Sequence, residues 1–253
     1  MTPKRFTRWV GEFVVIMVGV LAALAVDDLA QYRADRALEA HLLERLEDDL
    51  AADAADLVAA QVQVARRIWL FGELERALAG QAIPSAPADS LITFDRAVAL
   101  LEAVGRDQDV VRIRQWDRPL ERPLGPLGGT PEFDLSDDAY QEMLAGRGMR
   151  TLMDPMLRSA IVAYYRTAKD MGANAMQLEP YKDRFLEGLL RAGVANRDPV
   201  TFTELVRLLQ EDPYLAAQVR EIPSRLDDQR DYLARIEVAR LGLEEALASS
   251  RAR

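Results

Sequence analysis

The sequence FVVIMVGVLAALAV occupies residues 13–26, and DDLAQYRADRALEAHLLERLEDDLAADAADLVAAQVQVARRIWLFGELERALA follows at residues 27–79. The first part has no charged residue. The second has no proline, a single glycine and mostly good helix formers. Together the two parts predict one long N-terminal helix, apolar in its first section and mixed in polarity in the stalk that continues it.

The apolar section has the length of a membrane span once the residues before it are added. Residues 9–26 make 18 residues, or about 27 Å of helix, close to the roughly 30 Å of a bilayer's hydrocarbon core. Glu12 then lies near one edge, and Trp9 lies at the depth where interfacial aromatic residues are common. We therefore predict a transmembrane helix over residues 9–26. Its marker residues are Trp9, Glu12, Phe13, Gly19, Leu24 and Val26.

A cleaved signal peptide is the alternative for the same segment. It would use the basic start, the short apolar centre and Ala23-Leu24-Ala25 as the cleavage site. Against it, Glu12 is acidic where signal peptides are basic or neutral, and the helical pattern continues beyond Val26. The sequence leaves open whether residues 1–25 are retained as an anchor or removed.

Charge predicts the orientation of such a span. Residues 1–8 carry three positive charges and no acid, whereas residues 27–50 carry eight acids and three arginines. Because basic flanks stay in the cytoplasm, we expect a bacterial inner-membrane protein with a cytoplasmic N-terminus and a periplasmic body.

The stalk carries an apolar residue every seven positions, which predicts a packing seam. The rest of the chain is also helical in pattern, so we expect an all-α fold in which the stalk packs with a helical bundle. The predicted regions are a basic tip (1–8), the span (9–26), the stalk (27–80) and a bundle body (81–253) with a C-terminal helix antiparallel to the stalk. The seam residues are Leu43, Leu50, Leu57, Val64, Phe71 and Leu78.

Proline and glycine divide the bundle body. We predict an irregular loop near residues 106–135 with a short extended piece at 110–116, because apolar and polar residues alternate there and ERPLGPLGGTPEF follows. Aspartate–proline pairs predict helix starts at 154–155, 198–199 and 212–213. Pro180 is expected to kink or end its helix, and the last helix is expected to begin near Pro223.

Two stretches resemble a known family. The first is GEFVVIMVGVLAALAVDD at residues 11–28, with Arg33 after it; the second comprises Tyr140, Gly146, Gly148, Leu157-Arg158, Ile161 and Tyr164-Tyr165. Together they resemble the uncharacterised single-span bacterial membrane proteins grouped as domain of unknown function six-zero-nine-zero. In that family two asparagines and a tryptophan follow the span, where this chain has Asp27, Asp28 and Leu29. The resemblance covers about a fifth of the chain and implies anchoring and a helical body, but no activity.

Composition excludes several classes of function. Without cysteine the chain has no disulfide, thiolate metal site or cysteine nucleophile, and one histidine leaves little zinc or triad chemistry. The net charge of −9 disfavours nucleic-acid binding. We therefore predict no catalytic residue, cofactor site or metal site.

Several polar and aromatic residues could form a binding site, but we expect a structural or surface role for each. His41 with Glu44 is expected on a solvated helix face, and adjacent carboxylates such as Asp48-Asp49 on the surface. Aromatic residues and an arginine of the body are expected to serve packing or interaction. They are Trp116, Tyr140, Arg158, Tyr164 and Tyr165.

Two functional hypotheses follow. The first is a single-pass, membrane-anchored helical scaffold or accessory subunit, not an enzyme, whose partners are the lipid bilayer and another membrane or periplasmic protein. The alternative is a periplasmic helical sensing domain that binds a small ligand and signals through a partner. A homo-oligomer is compatible with either hypothesis.

Overall fold

The computed structural model describes residues 3–81, 91–114, 123, 135–194 and 200–252. Within these ranges the chain forms eight helices and no strand, so the all-α prediction is confirmed. The first helix, α1, spans Pro3–Leu78. Its 76 residues correspond to about 114 Å of helix.

All the other helices are shorter than α1, and the two longest of them have about half its length. They are α2 (Leu91–Ala103), α3 (Asp107–Arg114), α4 (Asp138–Ala145), α5 (Gly148–Thr151), α6 (Pro155–Arg191), α7 (Phe202–Glu211) and α8 (Pro213–Arg251).

The three long helices form the body, and α8 packs against both α1 and α6. Near the end of α8, Arg251 pairs with Glu47 of α1 at 2.8 Å, whereas Leu215 at the start of α8 shares a core with Leu74 near the end of α1. The C-terminal helix therefore runs antiparallel to α1. Helix α6 runs parallel to α1, since its first half and its last turns join the same two cores in the same order.

Three apolar cores hold the helices together. One joins the middle of α1 to α4, α6 and the second half of α8. Another joins the end of α1 to the end of α6, to α7 and to the first half of α8. A smaller core packs α2 and α3 on α1 through residues such as Leu101 and Val110.

The structure corrects two local predictions, the extended piece and the start of the last helix, and excludes one of the two outcomes expected at Pro180. Residues 107–114 form α3 rather than an extended piece, because Val110 is buried in the small core against α1 and α2, and this packing overrides the alternating pattern. Pro180 lies inside α6 without ending it. Helix α8 begins at Pro213 and continues through Pro223, where burial of Ile222 and Leu226 offsets the local cost of a proline.

Other predictions fall outside the described residues. They concern Trp116, the glycine- and proline-rich part of the predicted loop between residues 115 and 134, and the start at Asp198-Pro199.

The N-terminal part of α1 is not buried against the other described helices. Every described side chain from Phe13 to Ala37 is exposed, and packing begins at Leu38 and Glu39. None of the helices, over the residues described, is long and apolar enough to cross a membrane.

A capping box, absent from our sequence predictions, starts α7. The Thr201 hydroxyl accepts from the Glu204 N–H, and the Glu204 carboxylate accepts from the Thr201 N–H at 2.8 Å, which lowers the pKa of Glu204.

Thr201→Ala is expected to lower the free energy of unfolding by about 1 kcal/mol in a urea titration. Thr167→Ala within α6 is the matched control, because that hydroxyl only bonds back to the Ala163 carbonyl and its loss should cost under about 0.5 kcal/mol. Equal losses in both variants would contradict the capping role.

Candidate functional site

A buried carboxylate of α1 lies at the point where three parts of the body meet. Asp53 has no exposed surface. Its Oδ2 accepts a hydrogen bond from the Tyr164 hydroxyl of α6 at 2.6 Å, and its Oδ1 accepts from the Ser136 N–H at 2.8 Å. Asp53 therefore connects α1 both to α6 and to the residues that precede α4.

The start of α4 is capped by α1 rather than by its own N-cap residue. Asp137 occupies the N-cap position without a side-chain cap bond. Asp49 of α1 instead accepts from the Ala139 N–H at 3.1 Å, next to the Asp53–Ser136 bond. First-turn N–H groups lack intrahelical partners and carry the positive end of the helix dipole, so the Asp49 carboxylate of α1 stabilises this helix end.

Three tyrosines surround these carboxylates. The rings of Tyr140 and Tyr165 stack with centroids 4.2 Å apart, and Tyr164 meets Tyr165 edge-on at 5.0 Å. The Tyr165 hydroxyl donates to the Ser136 carbonyl at 3.3 Å. The tyrosines thus fix α4 and α6 against each other beside Asp53.

Burial dominates the ionisation of this cluster. Desolvation raises the pKa of Asp53 from 3.8 to about 6, although the hydrogen bonds from Tyr164 and Ser136 act in the opposite direction. The pKa of Asp49 is also raised, mainly by burial and partly by the charge of Asp138, against the Ala139 N–H that lowers it. Burial likewise raises the pKa values of Tyr164 and Tyr165, so both phenols stay neutral.

The residues around α5 also contact α1, closer to the N-terminal end of its buried part. Glu39 accepts from the Met153 N–H at 3.0 Å, and Arg45 forms an ion pair with Glu142 of α4. Gly148 lies so close to α1 that an added Cβ would be 2.8 Å from Leu42 Cδ1. The segment from Leu135 to Met153 is therefore attached to α1 along its whole length.

The structure brings together some of the residues singled out in the sequence. Leu50, Leu57, Val64 and Phe71 are buried, while Leu43 and Leu78 are half-buried at the rim. Tyr140, Tyr164 and Tyr165 meet in the cluster around Asp53, whereas Arg158 is half-buried in the first turn of α6. Of the predicted span, Phe13, Gly19, Leu24 and Val26 are exposed. Trp9 and Glu12 lie within α1, with side chains outside the described part.

Sequence reasoning missed Asp53, although a signal for it exists. A second row of α1, also spaced by seven, is buried throughout and contains charged residues. Its members are Glu39, Leu46, Asp53, Ala60, Arg67 and Leu74. A carboxylate between Leu46 and Ala60 in a heptad seam indicates a buried hydrogen bond to another part of the chain, because such seam positions face a partner helix.

The described residues offer no metal-binding group of three or more His, Asp or Glu side chains, and His41 is exposed. Two open grooves, of about 440 and 350 Å³, flank the end of α8 where it lies on α1, and Arg251 lines both. The Asp53 cluster differs from them because Asp53, Tyr164 and Tyr165 at its centre are buried. Its arrangement suits holding helices together and binding a proton.

Comparison with known proteins adds no assignment. No family model, curated protein or solved structure matches this chain.

Proposed function

We propose that this protein is a single-pass, membrane-anchored helical scaffold or accessory subunit whose body contacts another membrane or periplasmic protein and carries out no catalysis. One observation supports this most strongly. Helix α1 extends beyond the bundle as a segment whose large apolar side chains are exposed on all sides: Phe13, Ile16, Met17, Val18, Val20, Leu21, Leu24 and Val26, each 49–69% exposed.

We infer that this segment lies in a bilayer. Burying a large aliphatic side chain stabilises by about 1.5–3 kcal/mol, so eight exposed ones in water are strongly unfavourable. A helix that is apolar all round lacks the polar face of a surface helix. The basic residues before it and the acidic stalk after it favour a cytoplasmic N-terminus and a periplasmic body.

The anchor is tested by placing charge in the middle of the segment. The full chain, expressed in bacteria, is expected to stay in the membrane pellet after alkaline carbonate extraction. In a Val18→Lys/Leu21→Lys variant each lysine costs about 2.5–3.5 kcal/mol at the centre of a span, so we expect most of the protein in the supernatant. The matched control is Val238→Lys/Leu241→Lys, which places the same charges on exposed apolar positions of α8 and should leave the protein in the pellet.

Unchanged extraction of the Val18→Lys/Leu21→Lys variant, or a wild-type chain in the soluble fraction, would contradict the anchor. The intact mass of the wild-type protein distinguishes the two fates of the N-terminus. A mass that includes residues 1–25 supports retention, and a mass that starts after Ala25 shows cleavage.

The contact with a partner needs its own test. The wild-type protein, purified from its native membranes in mild detergent, is expected to co-elute with a second protein. A single monomeric species without any companion would overturn the scaffold proposal.

A further inference from the structure

The segment from Leu135 to Met153, which we call the clasp, is held on α1 mainly by carboxylates that bind backbone N–H groups. Three such bonds join the two, from Met153 to Glu39, from Ala139 to Asp49 and from Ser136 to Asp53. The clasp buries Ala139, Met143 and Leu152 in the core that also contains Leu42 and Leu46. Its attachment therefore closes an apolar surface of α1.

Asp53 is the least favourable of these carboxylates to ionise. It is fully buried, and its hydrogen-bond donors among the described residues, the Tyr164 hydroxyl and the N–H and hydroxyl of Ser136, are all neutral. A buried carboxylate without a cationic partner is disfavoured in its charged form. The neighbouring charge of Asp49 adds to that cost.

Among the described residues, the cations near the cluster form ion pairs with other acids. Arg45 of α1 pairs with Glu142 of the clasp. Arg240 of α8, which faces Tyr164, pairs with Glu237 and Glu244 of its own helix. Among the described residues, titratable and charged groups from four elements face Asp53 and its neighbours. They are Asp49 and Arg45 of α1; Asp137, Asp138, Tyr140 and Glu142 of the clasp; Tyr164 and Tyr165 of α6; and Arg240 of α8.

We propose that the clasp is a proton-controlled closure: it holds to α1 when Asp53 is neutral and loosens when Asp53 is ionised. In the neutral form one oxygen of Asp53 carries the proton, and the carboxyl group keeps its contacts with the Tyr164 hydroxyl and the Ser136 N–H. In the ionised form a buried charge remains in the closed state, and opening lets water solvate it. Opening also uncovers Leu42 and Leu46, so ionisation controls access to an apolar surface of α1. This inference does not depend on the membrane anchor.

The direction of the effect follows from linkage. The closed state binds a proton on Asp53 up to about pH 6, whereas a hydrated carboxylate loses it near 3.8. Raising the pH through this window therefore favours the open state. Where opening fully hydrates Asp53, the opening equilibrium increases about 50-fold between pH 4 and pH 7.

Native-state hydrogen exchange of the full chain tests this proposal. Protection factors of peptides within residues 135–153, corrected for intrinsic exchange at each pH, are expected to fall about 50-fold from pH 4 to pH 7. Peptides of α7 should remain better protected than those of the clasp at every pH, because α7 belongs to another core and stays folded when the clasp opens. Asp53→Asn should abolish most of the fall, whereas Asp48→Asn, an exposed acid of α1, should preserve it.

Tyr164→Phe provides a second variant that keeps the titrating group. Because the Tyr164 hydroxyl favours the ionised form of Asp53, its removal should move the transition to higher pH. The proposal is overturned by flat protection of the clasp in the wild type, by a pH dependence that persists in Asp53→Asn, or by clasp protection that equals that of α7 at every pH, which would show that the clasp opens only by global unfolding.

Discussion

An Asp53→Ala variant is expected to lose about 3 kcal/mol of unfolding free energy at pH 4.5. The substitution leaves the Tyr164 hydroxyl and the Ser136 N–H buried without their acceptor. An unsatisfied buried donor costs about 1–3 kcal/mol, and two are created. Urea unfolding followed by circular dichroism measures the loss.

The same variant should be less damaging at neutral pH. The pKa of Asp53 is raised by burial to about 6, so the folded state holds more protons than the unfolded state from about pH 4 to 6, and wild-type stability falls as the pH rises. Alanine cannot titrate, so the gap between the two proteins should narrow by about 2 kcal/mol between pH 4.5 and pH 7.

Asp48→Ala is the control for this pH series, because Asp48 is an exposed neighbour on the same helix. It should stay within about 0.5 kcal/mol of the wild type at both pH values. A gap between Asp53→Ala and wild type that is as large at pH 7 as at pH 4.5 would show that burial of the Asp53 charge carries no cost.

The long helix and its leucine seam could be predicted because their signal is local and periodic. Leu50, Leu57, Val64 and Phe71 repeat every seven residues, and all four are buried. The second buried row of α1 escaped prediction because its members alternate between apolar and charged residues. The role of Asp53 depends on Ser136 and Tyr164, which lie 83 and 111 positions away, and no local pattern records that pairing.

Helix boundaries in the body were wrong where tertiary packing overrides a local rule. A proline costs about 3 kcal/mol inside a helix, which is why the last helix was expected to start at Pro223. Val219, Ile222 and Leu226 are all buried in one core, and their packing keeps α8 continuous across the proline. Val110 acts in the same way for α3, which local alternation had suggested to be extended.

Gly148→Ala is expected to destabilise the protein by about 1–3 kcal/mol, because the clasp touches α1 there without space for a side chain. The new Cβ would lie 2.8 Å from the Met143 Cα and 2.8 Å from Leu42 Cδ1. The first neighbour is a backbone atom, so relief requires the clasp itself to move. Urea unfolding measures the loss, and the exchange of clasp amides should increase with it.

Alanine substitutions at two further glycines provide stabilities with which that of Gly148→Ala can be compared. At Gly188 an added Cβ would meet Leu215 Cδ2, the end of a flexible side chain, so Gly188→Ala should cost less than Gly148→Ala. At Gly72, inside α1, a Cβ would have nothing within 4 Å, so Gly72→Ala should stabilise by about 0.5–1 kcal/mol through helix propensity. The expected order of stability is therefore Gly72→Ala, Gly188→Ala, Gly148→Ala. If Gly148→Ala were as stable as Gly72→Ala, the close approach of Gly148 to the Met143 backbone within the clasp would be wrong, because a backbone contact at 2.8 Å cannot accept a methyl group without displacement.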